Sequence, residues 1–270
     1  MVQLTIILAG ILIFYSPKIY RTSRFLITKN YYVLYGIEAD DRSRQFELEA
    51  MLEQEFVYFK PLSPMARQKF IARIWKLYNE VEFVGYSGLE VKENMKIRVL
   101  FSQIQLTYGL RTFHFKKFKK YILYPTTFYS NFFQRDLKGL TSRAGFVTFS
   151  WADFEEGYKV NDDKFNLGLH EMAHAFRLHV ADGRYSFKLT DYHIDFDAKA
   201  HREMYMMKRD VPSLLRDYAK TNHEEFFAVC IEYFFEAPEI LKNALPQIFN
   251  ILCKMLNQNP LNREGDYAYK

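Results

Sequence analysis

Residues 170–174 read His-Glu-Met-Ala-His, inside an apolar run from Phe165 to Leu178 that has helical spacing. On a helix, positions four apart lie on one face a turn from each other, so His170 and His174 can grip a single ion. Zinc is the natural occupant. A catalytic zinc takes three protein ligands and keeps one position open for water, so a further His, Asp or Glu has to come from elsewhere in the chain. Glu171, directly after the first histidine, projects beside the metal. There a carboxylate can take a proton from zinc-bound water and pass it to a leaving amine. The expected fold therefore encloses one helix and brings a second, acid-bearing element against it.

In the eight residues after His174 only His179 and Asp182 offer a donor, and there is no glycine-plus-histidine extension of the metzincin kind. The search moves to Thr221-Asn222-His223-Glu224-Glu225-Phe226-Phe227-Ala228-Val229, which reads as the start of a helix with an acidic first turn and an apolar face behind. Glu225 is the chosen third ligand. Asn222 with Glu225 also fits a variant capping box, as Thr221 with Glu224 does in the next frame, so one glutamate can cap while the other binds. Glu232, two turns along the same face, could instead ligate the metal or hold a histidine through its free ring nitrogen.

The chain has 270 residues, 49% hydrophobic and 18% aromatic, enough to bury a substantial core and unlike a disordered segment. Its 37 Lys+Arg against 32 Asp+Glu leave +5, too slight and dispersed to require nucleic acid, so no direct nucleic-acid binding is expected. With Cys230 and Cys253 as the sole cysteines, a disulfide framework and a thiolate zinc site are excluded as readings, and a reducing, cytoplasmic compartment fits. Residues 1–17 carry no charge, and Lys18, Arg21 and Arg24 follow. That segment is short of the roughly 20 apolar residues of a spanning helix. Basic residues after it would nevertheless suit an inner-membrane tether with a cytoplasmic body. The alternative is a buried first strand or helix.

The layout read from these patterns is an apolar segment over 1–24, a linker or surface helix over 25–53, and one metallopeptidase domain over 54–270. Ser63-Pro64 reads as a cap and first-turn proline for a helix carrying Phe70, Ile71, Ile74 and Leu77. Val91 to Tyr108 reads as a second helix closed by Gly109. Tyr121–Tyr124 and Gly145–Trp151 read as short strands. Ala181–Asp197 lacks clear periodicity, and Asp191, Asp195 and Asp197 with His193 read as a polar surface loop. Ala198–Met207, Val211–Tyr218 and Glu224–Glu236 read as helices, the last stopped by Pro238. The cluster Phe115-Lys116-Lys117-Phe118-Lys119-Lys120 reads as a solvated strand edge.

These residues resemble the Mlc titration factor A family of bacterial zinc peptidases. The likeness spans roughly residues 54–260. It rests on Tyr58-Phe59 with Leu62-Ser63-Pro64, Phe83–Leu89, Leu123-Tyr124-Pro125, Phe149-Ser150-Trp151, Leu169–His174 and Glu225–Pro238. The resemblance implies His170, His174 and Glu225 as ligands of one Zn2+ ion and Glu171 as base. It also implies Tyr218 as an active-site tyrosine that donates its O–H to a developing oxyanion. Since the family is similar in fold to the catalytic domain of anthrax lethal factor, a gluzincin-like protein, it further implies an α+β, mainly helical, zincin-like domain with a small sheet beside the metal helix. Phe146–Trp151 is then the expected strand for pairing with substrate. Peptide hydrolysis, with aminopeptidase action as in family members, is the expected activity; the rival is a regulatory protein that binds a transcriptional repressor. The likeness breaks at Arg177, where family members often carry an acidic residue.

Overall fold

The computed structural model describes residues 16–38, 42–159, 164–183 and 187–269. The apolar segment through residue 15, with its candidate tethering role, lies outside the described residues. Among those described, no helix is long and apolar enough to cross a membrane.

Residues 16–28 are helical. Helices α1 (Tyr31–Tyr35), α2 (Gln45–Glu55) and α3 (Pro64–Tyr78) follow, then β1 (Glu82–Gly85) and α4 (Glu93–Thr107). Next come β2 (Lys120–Tyr124), the hairpin β3 (Phe128–Ser130) and β4 (Arg135–Leu137), β5 (Gly139–Ser142) and β6 (Phe146–Ser150). The second half is α5 (Trp151–Lys159), α6 (Leu167–Ala181), α7 (Phe187–Met207), α8 (His223–Glu236), α9 (Pro238–Ala244) and α10 (Pro246–Leu256). The architecture is mainly helical α+β, as the family resemblance implied.

Capping explains where α3 starts. The Ser63 hydroxyl accepts from Ala66 N–H, and Pro64 enters the first turn of α3, where its missing N–H costs nothing. Helix α4 is the hub of the core, with Val99, Leu100, Phe101, Ile104 and Leu106 sealed from solvent. Its buried Gln103 amide is matched at both ends: Nε2 donates to Phe113 O at 2.8 Å, and Oε1 accepts from the Tyr121 hydroxyl.

The main sheet has the order β1-β2-β6-β5, parallel across its first two pairings and antiparallel between β5 and β6. Gly145, at φ 97°, lets the β5–β6 connection turn within the three residues Arg143–Gly145. β2 and β6 are interior strands whose shared face buries Tyr121, Leu123, Val147 and Phe149, and β5 is an edge. Phe115 and Phe118 of the lysine-rich cluster are buried, and Lys120 opens the interior strand β2 while pairing with Glu82 at 3.1 Å. The cluster is thus a turn pinned by its aromatics, not a strand edge.

Two further segments differ from the sequence reading. Residues 211–216 are irregular, and a 3-10 turn covers Asp217–Lys220 in place of a helix to Tyr218. Pro212 lacks a donor and disfavours helix at Val211, and Arg216 is extended (φ −61°, ψ 153°) as its guanidinium reaches the body. Conversely, the acidic stretch 191–197 is not a loop; it lies inside the 21-residue helix α7. Leu189, His193, Phe196, Ala200, Met204 and Met207 are its buried stripe.

Candidate metal centre

Helix α6 carries the histidine pair. Asn166 caps it, Oδ1 accepting from Leu169 N–H at 2.9 Å. Gly168 permits close packing on α4, since a Cβ there would lie 2.4 Å from Ser102 Oγ. The spacing of four then brings His170 Nε2 and His174 Nε2 to 3.2 Å, their rings at 82°.

The partner acid arrives from α8. Asn222 Oδ1 accepts from Glu225 N–H at 2.9 Å, so the helix begins one residue after Asn222 and neither glutamate is needed as a cap. Glu224 turns to Arg177 Nε at 2.8 Å, and Glu225 turns inward. Its Oε2 stands 3.1 Å from His170 Nε2 and 3.4 Å from His174 Nε2. One donor atom from each of His170, His174 and Glu225 lies within 4.8 Å of the others, a grouping that could hold a metal ion. Burial alone would raise the Glu225 carboxyl, but its hydrogen bonds with the two imidazoles hold it well below the usual range. Burial likewise opposes charge on His170, and the Glu225 and Glu232 carboxylates override it, holding the imidazole up at about 10.

Glu232 occupies the far side of the His170 ring, its Oε1 2.7 Å from Nδ1, and so stands outside the donor cluster. It is 1% exposed, and its charge is fully engaged. Asn166 N–H donates to Oε2 at 2.8 Å and Arg216 Nη2 to Oε1 at 2.6 Å, while the Arg216 guanidinium lies over the Phe165 ring at 4.4 Å. Such compensation is what a buried carboxylate requires.

Glu171 is buried beside β5, its Oε2 accepting from Thr141 Oγ1 at 2.7 Å. Burial raises its carboxyl pKa, against the pull of His174 and His170. Tyr218, on the 3-10 turn, has its ring 6.0 Å from that of His170 and is 42% exposed. Burial of part of the ring, and then the Glu225 carboxylate, push its hydroxyl up to about 12, so it stays a donor at neutral pH. All five residues singled out from sequence therefore converge. The expected substrate strand does not hold: β6 pairs with β2 on one side and β5 on the other, leaving β5 as the edge nearest Glu171.

Two contacting residues were missed by sequence reasoning. Arg216 lies two positions before Tyr218, which is a usable signal only once Glu232 is known to need a cation. Thr141 gives no local signal at all.

Two imidazoles and a carboxylate supplied by two helices, beside the edge of a small mixed sheet, define a metallopeptidase-like domain. Residues 37–256 match the model of the glucose-regulated metallo-peptidase M90 family, and the chain belongs to that family. It is 25% identical over 227 residues to Mlc titration factor A of Yersinia pestis (strain Pestoides F), covering 75% of this chain and 82% of that protein. Mlc titration factor A of Yersinia pseudotuberculosis serotype O:1b (strain IP 31758) gives the same figures.

Proposed function

We propose that this protein is a zinc-dependent peptidase, with His170, His174 and Glu225 as metal ligands, Glu171 as general base and Tyr218 as oxyanion donor. The observation that carries the reading is the convergence of the three donor atoms within 4.8 Å of one another, two of them on the helix that also carries the buried Glu171. The donor set fits zinc: two imidazoles and one carboxylate with no thiolate suit a borderline ion, and Glu232 on His170 Nδ1 fixes the tautomer that leaves Nε2 free to bind. Bound there, zinc would supply Lewis acidity toward the scissile carbonyl and lower the pKa of water.

The protein's own groups account for the proton path. Glu171 takes a proton from water as the water oxygen forms a bond to the carbonyl carbon, then gives that proton to the amide nitrogen as the C–N bond breaks. A base of raised pKa suits both halves of that exchange, since it holds the proton long enough to deliver it. The Tyr218 hydroxyl, neutral at working pH, donates to the oxygen that gains charge. Short or unfolded peptides are the substrate class, with aminopeptidase action the specific form.

The test is metal analysis joined to peptide hydrolysis. The wild-type chain should hold one zinc and cleave peptides, and Glu171→Gln should hold the same zinc while losing at least about 1000-fold in kcat. Full activity in that variant refutes the mechanism. A second reading is regulatory capture of a transcriptional repressor, favoured by the name of the relatives, Mlc titration factor A. Binding of an Mlc-type repressor that survives in Glu171→Gln would separate capture from hydrolysis.

A further inference from the structure

The peptidase reading leaves open how the Glu171 carboxylate is held, and strand β5 answers it. In a strand, residues two apart project to the same face, so Gly139 and Thr141 both look toward α6 while Leu140 turns away. Their spacing is fixed by antiparallel pairing of Gly139 with Phe149 and Thr141 with Val147, two fully buried residues. Thr141 Oγ1 sits 2.7 Å from Glu171 Oε2 and 3.0 Å from Glu171 O. Both acceptors lack protons when Glu171 is ionised, so the hydroxyl is the donor, and the shorter contact goes to the carboxylate. At Gly139, a Cβ would lie 2.3 Å from Glu171 Oε1 and 2.7 Å from its Cδ. No side chain larger than hydrogen fits there with the carboxylate in place.

We propose that Gly139 and Thr141 form a socket that fixes the plane and position of the Glu171 carboxylate, Thr141 acting as a positioning residue for the proton transfer. The inference rests on Glu171 being the base. The terminal torsion of a glutamate is broad and intrinsically loose, so a carboxylate free on both oxygens would sample many orientations. Thr141 removes that freedom from one oxygen by a donor, and Gly139 makes room for the other. The socket belongs to the sheet and the base to the helix, so the edge strand β5 and the proton-transfer group share one rigid reference.

The experiment uses the full chain loaded with zinc, a fluorogenic aminoacyl substrate and a quenched-fluorescent unstructured peptide. Thr141→Val, nearly isosteric, should lose about 10- to 100-fold in kcat with KM within about twofold of wild type. Zinc stoichiometry should stay at wild type. Thr141→Ser should recover most of the rate. In the Glu171→Gln background, adding Thr141→Val should cost nothing further, because the residue acts through the carboxylate. Wild-type kcat in Thr141→Val, an equal loss in both backgrounds, or loss of zinc overturns the socket. These outcomes are separate from failure of the peptidase reading, which would appear as an inactive wild type or a fully active Glu171→Gln and would take the socket down with it.

Discussion

His193 shows how one side chain sets a response to acid. It lies in the buried stripe of α7, its ring 5.6 Å from both Phe176 and Phe227, with Nε2 lacking a hydrogen-bond partner among the described residues. Burial first, and the Arg177 guanidinium second, push its pKa down to about 4, against the pull of Asp197. In the unfolded chain the group titrates near 6.5. As pH falls through that value the unfolded chain takes up a proton the folded one refuses. Stability is therefore lost between about pH 6.5 and 4 and levels off below, by at most about 3 kcal/mol. His193→Leu keeps the apolar stripe and removes the titration. In urea unfolding, the variant's stability relative to wild type should rise by about 1–3 kcal/mol between pH 7 and 4.5. A constant difference over that range would assign the acid response to other groups. At this same scale the histidine pair and Glu171 were plain in the sequence, because a helix converts a spacing of four into proximity. Glu232 was undecided there, since spacing along α8 does not say whether its carboxylate meets Nε2 or Nδ1 of His170; only the tilt between α6 and α8 does.

Helix starts decide where the second element of the donor cluster points. Asn222 takes an extended backbone (φ −161°, ψ 173°) and caps α8 through Glu225 N–H, so the residue whose backbone is capped is also the one whose carboxylate enters the site. Loss of the cap would fray the turn that delivers Glu225. Asn222→Ala should cost about 1 kcal/mol of stability and weaken zinc binding by roughly tenfold in competition with a chelator, whereas Asn222→Ser should restore both. Unchanged affinity in the alanine variant would mean that packing behind Phe226 and Phe227 holds the turn unaided. Helices α3, α6 and α8 were legible from caps and apolar spacing acting together. Helix α7 was legible only in its second half, Ala198–Met207; the stripe of its first half includes His193 and its exposed positions include Asp191 and Asp195, so that stretch reads as a polar loop. The edge strand β5 was equally hidden: Gly-Leu-Thr-Ser has no strand composition, and it is a strand because β6 supplies its hydrogen bonds.

Across the whole molecule, the two ends of the domain are tied by a clasp that includes none of the donor-cluster residues. The family match covers residues 37–256, and the C-terminal half of the clasp, Gln258, Asp266 and Tyr267, lies beyond it. Asp266 accepts from Ser63 N–H and from Ser63 Oγ, both at 2.7 Å, while the same serine hydroxyl accepts from Ala66 N–H to cap α3. Tyr267 donates its hydroxyl to Tyr58 O at 2.8 Å and stacks on the Tyr58 ring at 4.1 Å. Gln258 accepts from the Tyr58 hydroxyl at 2.6 Å and donates to the end of α4. Asp266 and Tyr267 adopt left-handed backbone, φ 52° and 61°, at a cost on the order of 1 kcal/mol each, so their contacts must outweigh that strain. Two hydrogen bonds to a carboxylate, one of them completing a helix cap, are strong enough to do so. Asp266→Ala should remove about 1–3 kcal/mol, visible as a fall in Tm of about 2–10 °C. Zinc content and kcat should stay at wild type, since no clasp residue touches α6 or α8 at the donor cluster. A loss of zinc in this variant would show that the α2–α3 junction transmits strain to the metal helix through α4, and a Tm unchanged within about 1 °C would show that the strain and the contacts cancel.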